Sequence, residues 1–198
     1  MGIPERFLAL GDSFTIGTGT TPDRSFPGLL AQAWRENSAH VELLNPAVNG
    51  YTTHDLIVDE LPALASFRPT LITLLIGAND IVQGRDERGY RAQLARIYER
   101  IRTDAPAART FALPQPGWSA APAAAGFGDP AAIARIIERF NAVAEEEAVR
   151  FGAHWIDLFP LMRRQGAQAM FAPDGLHPSA EAYAEWAREL ATALASSP

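Results

Sequence analysis

Apolar residues fall along this chain in two rhythms: short solid runs, and longer stretches in which they recur every third or fourth position. Phe7–Leu10, Val41–Leu44, Leu71–Ile76, Thr110–Leu113 and His154–Ile156 are runs bounded by turn residues, and they predict five strands. The third is apolar along nearly its whole length, the pattern of a central parallel strand covered on both faces. Between the runs, Leu30, Ala33 and Trp34 follow Pro27, Ile57, Leu61 and Leu64 follow Thr53, and Tyr90, Leu94, Ile97 and Ile101 form a third set. Such spacings give each helix one buried face. Asp129 and Pro130 suit the cap and first turn of a helix carrying Ile133, Ile137 and Phe140, and Gly152 suits its exit. A last helix is predicted from near Ser179, with Tyr183, Trp186, Leu190 and Leu194 on its inner face.

Strand alternating with helix in this way predicts an α/β fold, a three-layer sandwich of helices on both faces of a five-stranded parallel sheet, since parallel strands need crossover connections. Ligands of such sheets bind at the C-terminal ends of the strands. Ser13 follows the first strand, Asn49 and Gly50 the second and Asn79 the third, while His177 precedes the last helix. The Pro-, Gly- and Ala-rich stretch 114–129, with Trp118 and Phe127, reads as either a wall of a site or a mobile connection.

Composition bounds the function. At 198 residues, 47% hydrophobic and 20% charged, the chain is expected to form one domain, 1–198. The net charge is −6, and its 17 basic residues, all arginine, are scattered, so a nucleic-acid footprint is missing. Without cysteine there is no disulfide framework, thiolate metal site or cysteine nucleophile. No run is long enough for a membrane span, and the first ten residues lack a signal-peptide pattern. A cytoplasmic location is therefore expected, although a processed secreted form would read the same. No metal or cofactor motif stands out, and oligomeric state is not readable.

Acyl transfer needs a nucleophile, a base, a group that orients the base, and donors aimed at the developing oxyanion. Ser13, in Gly11-Asp12-Ser13-Phe14-Thr15, is the candidate nucleophile; taken alone it reads more readily as a helix cap. His177 is the candidate base, oriented by Asp174 three residues before it, in a segment that is otherwise an ordinary polar turn. The side-chain amide of Asn79 and the backbone N–H groups of Gly50 and Ser13 are candidate oxyanion donors. Gly50 would let the main chain approach substrate closely, or is simply a turn glycine. Tyr51, Ile81, Val82 and Trp118 are candidate acyl-pocket residues by position, with core or lid packing as the alternative. His40, His54 and His154 lack a partner motif; His54, four residues after Gly50, is placed to line the rim. Asp157 reads as the cap of the turn after the fifth strand.

Taken together, Gly11-Asp12-Ser13 with Thr15 and Gly17, the segment 45–52 containing Gly50, Gly77-Ala78-Asn79-Asp80, and Asp174-Gly175-Leu176-His177-Pro178 resemble the four sequence blocks of the GDSL, or SGNH, hydrolases. The resemblance runs in order over nearly the whole chain. It implies a flavodoxin-like sheet and hydrolysis of esters or thioesters through an acyl-serine intermediate, without metal or cofactor. The chain departs from the family pattern at Ala47, where glycine is usual, and at Phe14, where leucine is common. A carbohydrate acetylesterase or an acyltransferase would use the same constellation, and a non-catalytic ligand-binding module would keep the fold without the chemistry.

Overall fold

The computed structural model describes residues 5–37 and 40–196. Five strands, β1 (Glu5–Gly11), β2 (Val41–Leu44), β3 (Leu71–Leu75), β4 (Arg109–Ala112) and β5 (His154–Trp155), form a single sheet in the order β2-β1-β3-β4-β5, and every pairing is parallel. The connections carry α1 (Ser13–Ile16), α2 (Phe26–Glu36), α3 (Thr53–Asp55), α4 (Ala63–Phe67), α5 (Ala78–Val82), α6 (Glu87–Asp104), α7 (Pro130–Arg150), α8 (Phe159–Ala167) and α9 (Ala180–Ser196).

Alternation along β1 divides the core in two. Phe7 and Ala9 face one side with Leu30 of α2 and Trp186 and Leu190 of α9, while Leu8 and Leu10 face the other with Leu94 and Ile97 of α6 and Phe140 of α7. β3 is buried at every residue, as its apolar run predicts. This is the expected three-layer sandwich. Because the chain leaves β1 toward β2 and later returns to β3 on the other side, the switch point of the sheet lies between β1 and β3, where a crevice opens at the strand ends.

The segment after Thr53 differs from the single regular helix predicted there. Between α3 and α4 the chain takes a π-helical turn, Leu56–Glu60, closed by the Leu61 N–H to the Leu56 carbonyl at 3.1 Å. A widened turn brings neighbouring positions 60 and 61 both inward, so Leu56, Glu60, Leu61 and Leu64 are buried and Ile57 is only partly so. Helix α8, with Leu161 and Met162 buried, was not anticipated: Pro160 and Gly166 obscure its short apolar pattern.

The 114–129 stretch is an anchored wall. Asn141 of α7 accepts from the Gln115 N–H at 2.9 Å and returns a bond from Nδ2 to the Gln115 carbonyl at 3.0 Å. Gln115 Oε1 in turn accepts from Trp118 Nε1 at 3.2 Å, and Trp118 is buried. Asp129 caps α7 through the amides of Ala131 and Ala132, and Gly152, at φ 79°, ends that connection as predicted. Among the described residues no helix is long and apolar enough to cross a membrane.

Candidate active site

The serine turn begins where β1 ends. Asp12, not Ser13, is the cap of α1: its Oδ1 accepts the Phe14 N–H at 3.0 Å, and Gly17 in the left-handed region closes the helix. The Ser13 side chain is thereby relieved of the capping role. As the first residue of α1, Ser13 has an N–H for which the helix supplies no acceptor.

The histidine arrives on a tight loop before α9. The Ala172 N–H bonds the His177 carbonyl at 2.7 Å and the Gly175 N–H bonds the Ala172 carbonyl at 2.9 Å. Asp174 Oδ1 accepts from the amides of Leu176 and His177 at 2.9 and 3.0 Å, and its Oδ2 is 2.7 Å from His177 Nδ1. Partial burial pushes the Asp174 carboxyl up, but those amides and the imidazole outweigh it and hold the group below its ordinary value. A carboxylate only accepts, so Nδ1 carries the proton and Nε2 is left as the free lone pair.

The two loops meet. The Phe14 ring lies 5.4 Å from the His177 ring. Gly19, at φ 88°, lies so close that a Cβ there would be 2.5 Å from Ala172 Cβ and 3.2 Å from Asp174 Oδ2. Ser13 and His177 side chains line one cleft, without a direct hydrogen bond between them.

Asn79 is the second residue of α5, after β3, and three bonds tie this turn to the chain after β2. Its Nδ2 donates to the Tyr51 carbonyl at 2.9 Å, while Asp80 accepts from the Thr53 N–H at 2.9 Å and the Thr53 hydroxyl at 2.6 Å. Arg85 Nε completes the partners of Asp80 at 2.5 Å. Asn45 reaches the other way, from Nδ2 to the Thr15 carbonyl at 3.0 Å, linking the same loop to α1. An amide nitrogen has two hydrogens, so the bond to Tyr51 fixes the plane of the Asn79 amide and leaves one donor over.

The cleft measures about 270 Å³ and is lined by Ser13, Phe14, Asn49, Ala78, Asn79, Val82, Trp118, Phe127, Leu176 and His177. Of the candidate pocket residues, Val82 and Trp118 line this cleft. Tyr51 and Ile81 are not on the wall: Tyr51 enters through its carbonyl, and Ile81 turns into the core. Gly50 is exposed at φ 90° with nothing within 4 Å of a built Cβ, so backbone conformation rather than close approach accounts for glycine there. Asn49 lines the cleft beside it. His54 is exposed and off the rim, His154 stacks on Phe111 at 5.0 Å, and Asp157 caps the Phe159 N–H at 3.1 Å. Phe127 was visible in the sequence as the second aromatic of the long loop; it meets Trp118 edge-on at 5.9 Å.

Two carboxyl groups lie buried behind the turn. Burial pushes Asp12 up to about 7, with the Phe14 amide opposing and Asp80 adding, and burial pushes Glu60 up to about 8, with the Gly11 amide opposing. Nothing in the sequence singled out Glu60, since a charged residue in a helical stretch reads as solvent-facing. Among the described residues no cluster of metal-ligating side chains occurs.

The sequence profile of the GDSL-like Lipase/Acylhydrolase family matches residues 9–185. An arylesterase of Vibrio mimicus is 29% identical over 98 residues, a match spanning 50% of this chain and about half of that relative, 49% of its length. Esterase TesA of Pseudomonas aeruginosa is 24% identical over 176 residues, 88% of this chain and 80% of that protein. A lipase/acylhydrolase from Enterococcus faecalis superposes with a TM-score of 0.78 at 19% identity, covering 96% of this chain and 95% of the other, a likeness of fold.

Proposed function

The chain belongs to the GDSL-like lipase/acylhydrolase family, and from that premise we propose that it is a serine esterase that hydrolyses neutral carboxylic esters through an acyl-serine intermediate. Ser13 is the nucleophile. His177 Nε2 takes its proton as Oγ attacks the ester carbonyl, and Asp174 stabilises the imidazolium through Nδ1. The spare Asn79 N–H and the backbone N–H groups of Ser13 and Gly50 receive the oxyanion. Collapse of the tetrahedral adduct passes the proton from His177 to the leaving alkoxide, and water then repeats the sequence to free the acid. The observation that carries this reading is the 2.7 Å Asp174–His177 bond on an imidazole sharing one cleft with Ser13 and Asn79. Ser13 Oγ and His177 Nε2 are not hydrogen-bonded to each other, and catalytic bonds of this type often form only once substrate is bound.

The cleft supports a substrate class. Apart from His177 its lining has no ionisable side chain, and Phe14, Ala78, Val82, Trp118, Phe127 and Leu176 make most of the wall apolar. An apolar cavity of about 150 Å³ holds benzene. A cleft of about 270 Å³ therefore accommodates one aromatic ring or a short to medium acyl chain beside the ester group. The apolar wall favours such groups over a sugar.

The test is turnover of p-nitrophenyl esters from acetate to laurate, with fluorophosphonate labelling. We expect a maximum at short to medium chains, labelling at Ser13, and a loss of order 10⁶ in kcat for Ser13→Ala or His177→Ala. Undiminished turnover by either variant refutes the proposal.

A further inference from the structure

Glu60 is a charged residue type that the proposed chemistry does not use, yet it is fully buried. The π-helical turn after α3 carries it inward beside Leu61, and its Oε2 accepts the Gly11 N–H at 3.0 Å across 49 residues of sequence. The need for this bond follows from the sheet. β2 leaves the ladder after Leu8 pairs with Leu44, whereas β1 continues beside β3 until Gly11 pairs with Leu75. On the β2 side the last residues of β1 therefore have no strand, and a buried amide without an acceptor is strongly disfavoured. Two residues beyond that amide is Ser13.

The surroundings select a neutral acceptor. Burial is the largest influence raising the Glu60 carboxyl, and Asp12 and Asp59 raise it further. Arg85, the cation nearest in sequence to Asp80, is committed to Asp80. The second carboxyl oxygen, Oε1, has no protein partner, which suits a protonated acid better than a carboxylate.

We infer that Glu60 is a positioning residue: its carboxyl oxygen takes the place of the missing strand at Gly11 and so fixes the Gly11–Ser13 turn that aims the nucleophile. What the turn requires from position 60 is an acceptor of the right reach, not a charge. Glutamine supplies one and leucine does not. The inference rests on Ser13 being the nucleophile.

The test compares Glu60→Gln, Glu60→Leu and Ser13→Ala on p-nitrophenyl butyrate. We expect Glu60→Gln to keep kcat within about threefold of the parent, and Glu60→Leu to lose roughly 10- to 100-fold in kcat with KM little changed, the pattern of a misplaced reacting group. A leucine variant that turns over like the parent overturns the inference, as does a glutamine variant as impaired as the leucine one. Should Glu60→Leu fail to fold, amide hydrogen exchange of Gly11 decides: protection in the parent and in Glu60→Gln supports it, and exchange at the free-peptide rate in the parent overturns it. Activity retained by Ser13→Ala instead refutes the serine mechanism while leaving the Gly11 measurement standing, so the two failures are distinguishable.

Discussion

Replacing Asn79 with alanine separates the chemical and structural duties of one side chain. The amide nitrogen bonds the Tyr51 carbonyl at 2.9 Å and has a second hydrogen for the cleft. If that hydrogen meets the oxyanion, its loss costs about 2.7 to 4 kcal/mol of barrier, or 10²- to 10³-fold in kcat. Loss of the bond to Tyr51, a partly buried group to which water has access, costs about 1 kcal/mol of stability, which lowers Tm by roughly 2 to 4 °C for a chain of this size. Steady-state kinetics on p-nitrophenyl butyrate and a thermal melt read the two separately. Thr53→Val is the control, because it removes the 2.6 Å bond to Asp80 in the same junction without touching the amide. A hydrogen bond to a charged group is worth about 1.5 to 3 kcal/mol. The control should therefore lower Tm at least as much as Asn79→Ala and lower kcat far less. Unchanged kcat with raised KM in Asn79→Ala would mean uniform binding and refute the oxyanion role. Equal kcat losses in the two variants would reduce Asn79 to a tether.

Asp174→Asn should lower kcat by about 10³- to 10⁴-fold with KM nearly unchanged, because the amide turned toward Nδ1 favours the wrong tautomer and cannot stabilise the imidazolium; steady-state turnover near that of the parent would contradict it. Stability should fall as pH rises. Asp12 and Glu60 have folded pKa values raised to about 7 and about 8 from 3.8 and 4.5, so the fold holds protons that the unfolded chain releases. That contribution is complete at acid pH below the ordinary carboxylate range and is lost toward pH 7 to 8, at no more than about 1.4 kcal/mol per pH unit for each group. Urea denaturation should show a decline from pH 5 to pH 8 that is shallower in Glu60→Gln; a flat profile in the parent would contradict it. Phe127→Ala removes a half-exposed ring from the mouth of the cleft. Losing about 1 kcal/mol of apolar contact should lower kcat/KM for the butyrate ester about fivefold and shift preference toward laurate, and an unaltered chain-length profile would take Phe127 out of substrate contact.

Much of the fold is legible because parallel strands announce themselves. Leu71–Leu75, buried on both faces, reads as a run that is apolar but for Thr73, and the spacing of Tyr90, Leu94, Ile97 and Ile101 matches the buried face of α6. The serine, asparagine and histidine blocks lie at strand and helix ends, where residue type is tied to chemistry and turn geometry and little else. The illegible parts have a common cause. Ile81 and Tyr51 adjoin Asn79 and Gly50 in sequence, but adjacent side chains point in different directions, so proximity along the chain is a poor guide to a pocket wall. The π turn at Leu56–Glu60 breaks the 3.6-residue period on which the reading of that helix depended, and no propensity marks it in advance. Trp118 and Phe127 were recognisable as aromatics in a long loop, but the bonds from Asn141 that make the loop a wall are tertiary.

The breaches of ordinary burial rules concentrate behind the serine turn. Among the described residues, Asp12 Oδ2, Glu60 Oε1, Thr73 Oγ1 and Tyr183 Oη are buried without a protein hydrogen-bond partner, as is Gln115 Nε2 in the 114–129 wall. Thr73 pairs with Ala9 in β1, Glu60 bonds Gly11, and Asp12 and Asp174 both raise the Tyr183 phenol above its ordinary range, second to burial. Asp12 is needed as an acceptor for the Phe14 amide, and Glu60 as one for the Gly11 amide, one on each side of the peptide linking β1 to the serine turn. A strand that outruns its neighbour at the switch point exposes the serine to the cleft but strips its own end of backbone partners. Glu60 replaces the partner missing at Gly11, and Asp12 caps the helix that follows. The topology that opens the crevice thus creates the deficit that Glu60 repairs at Gly11.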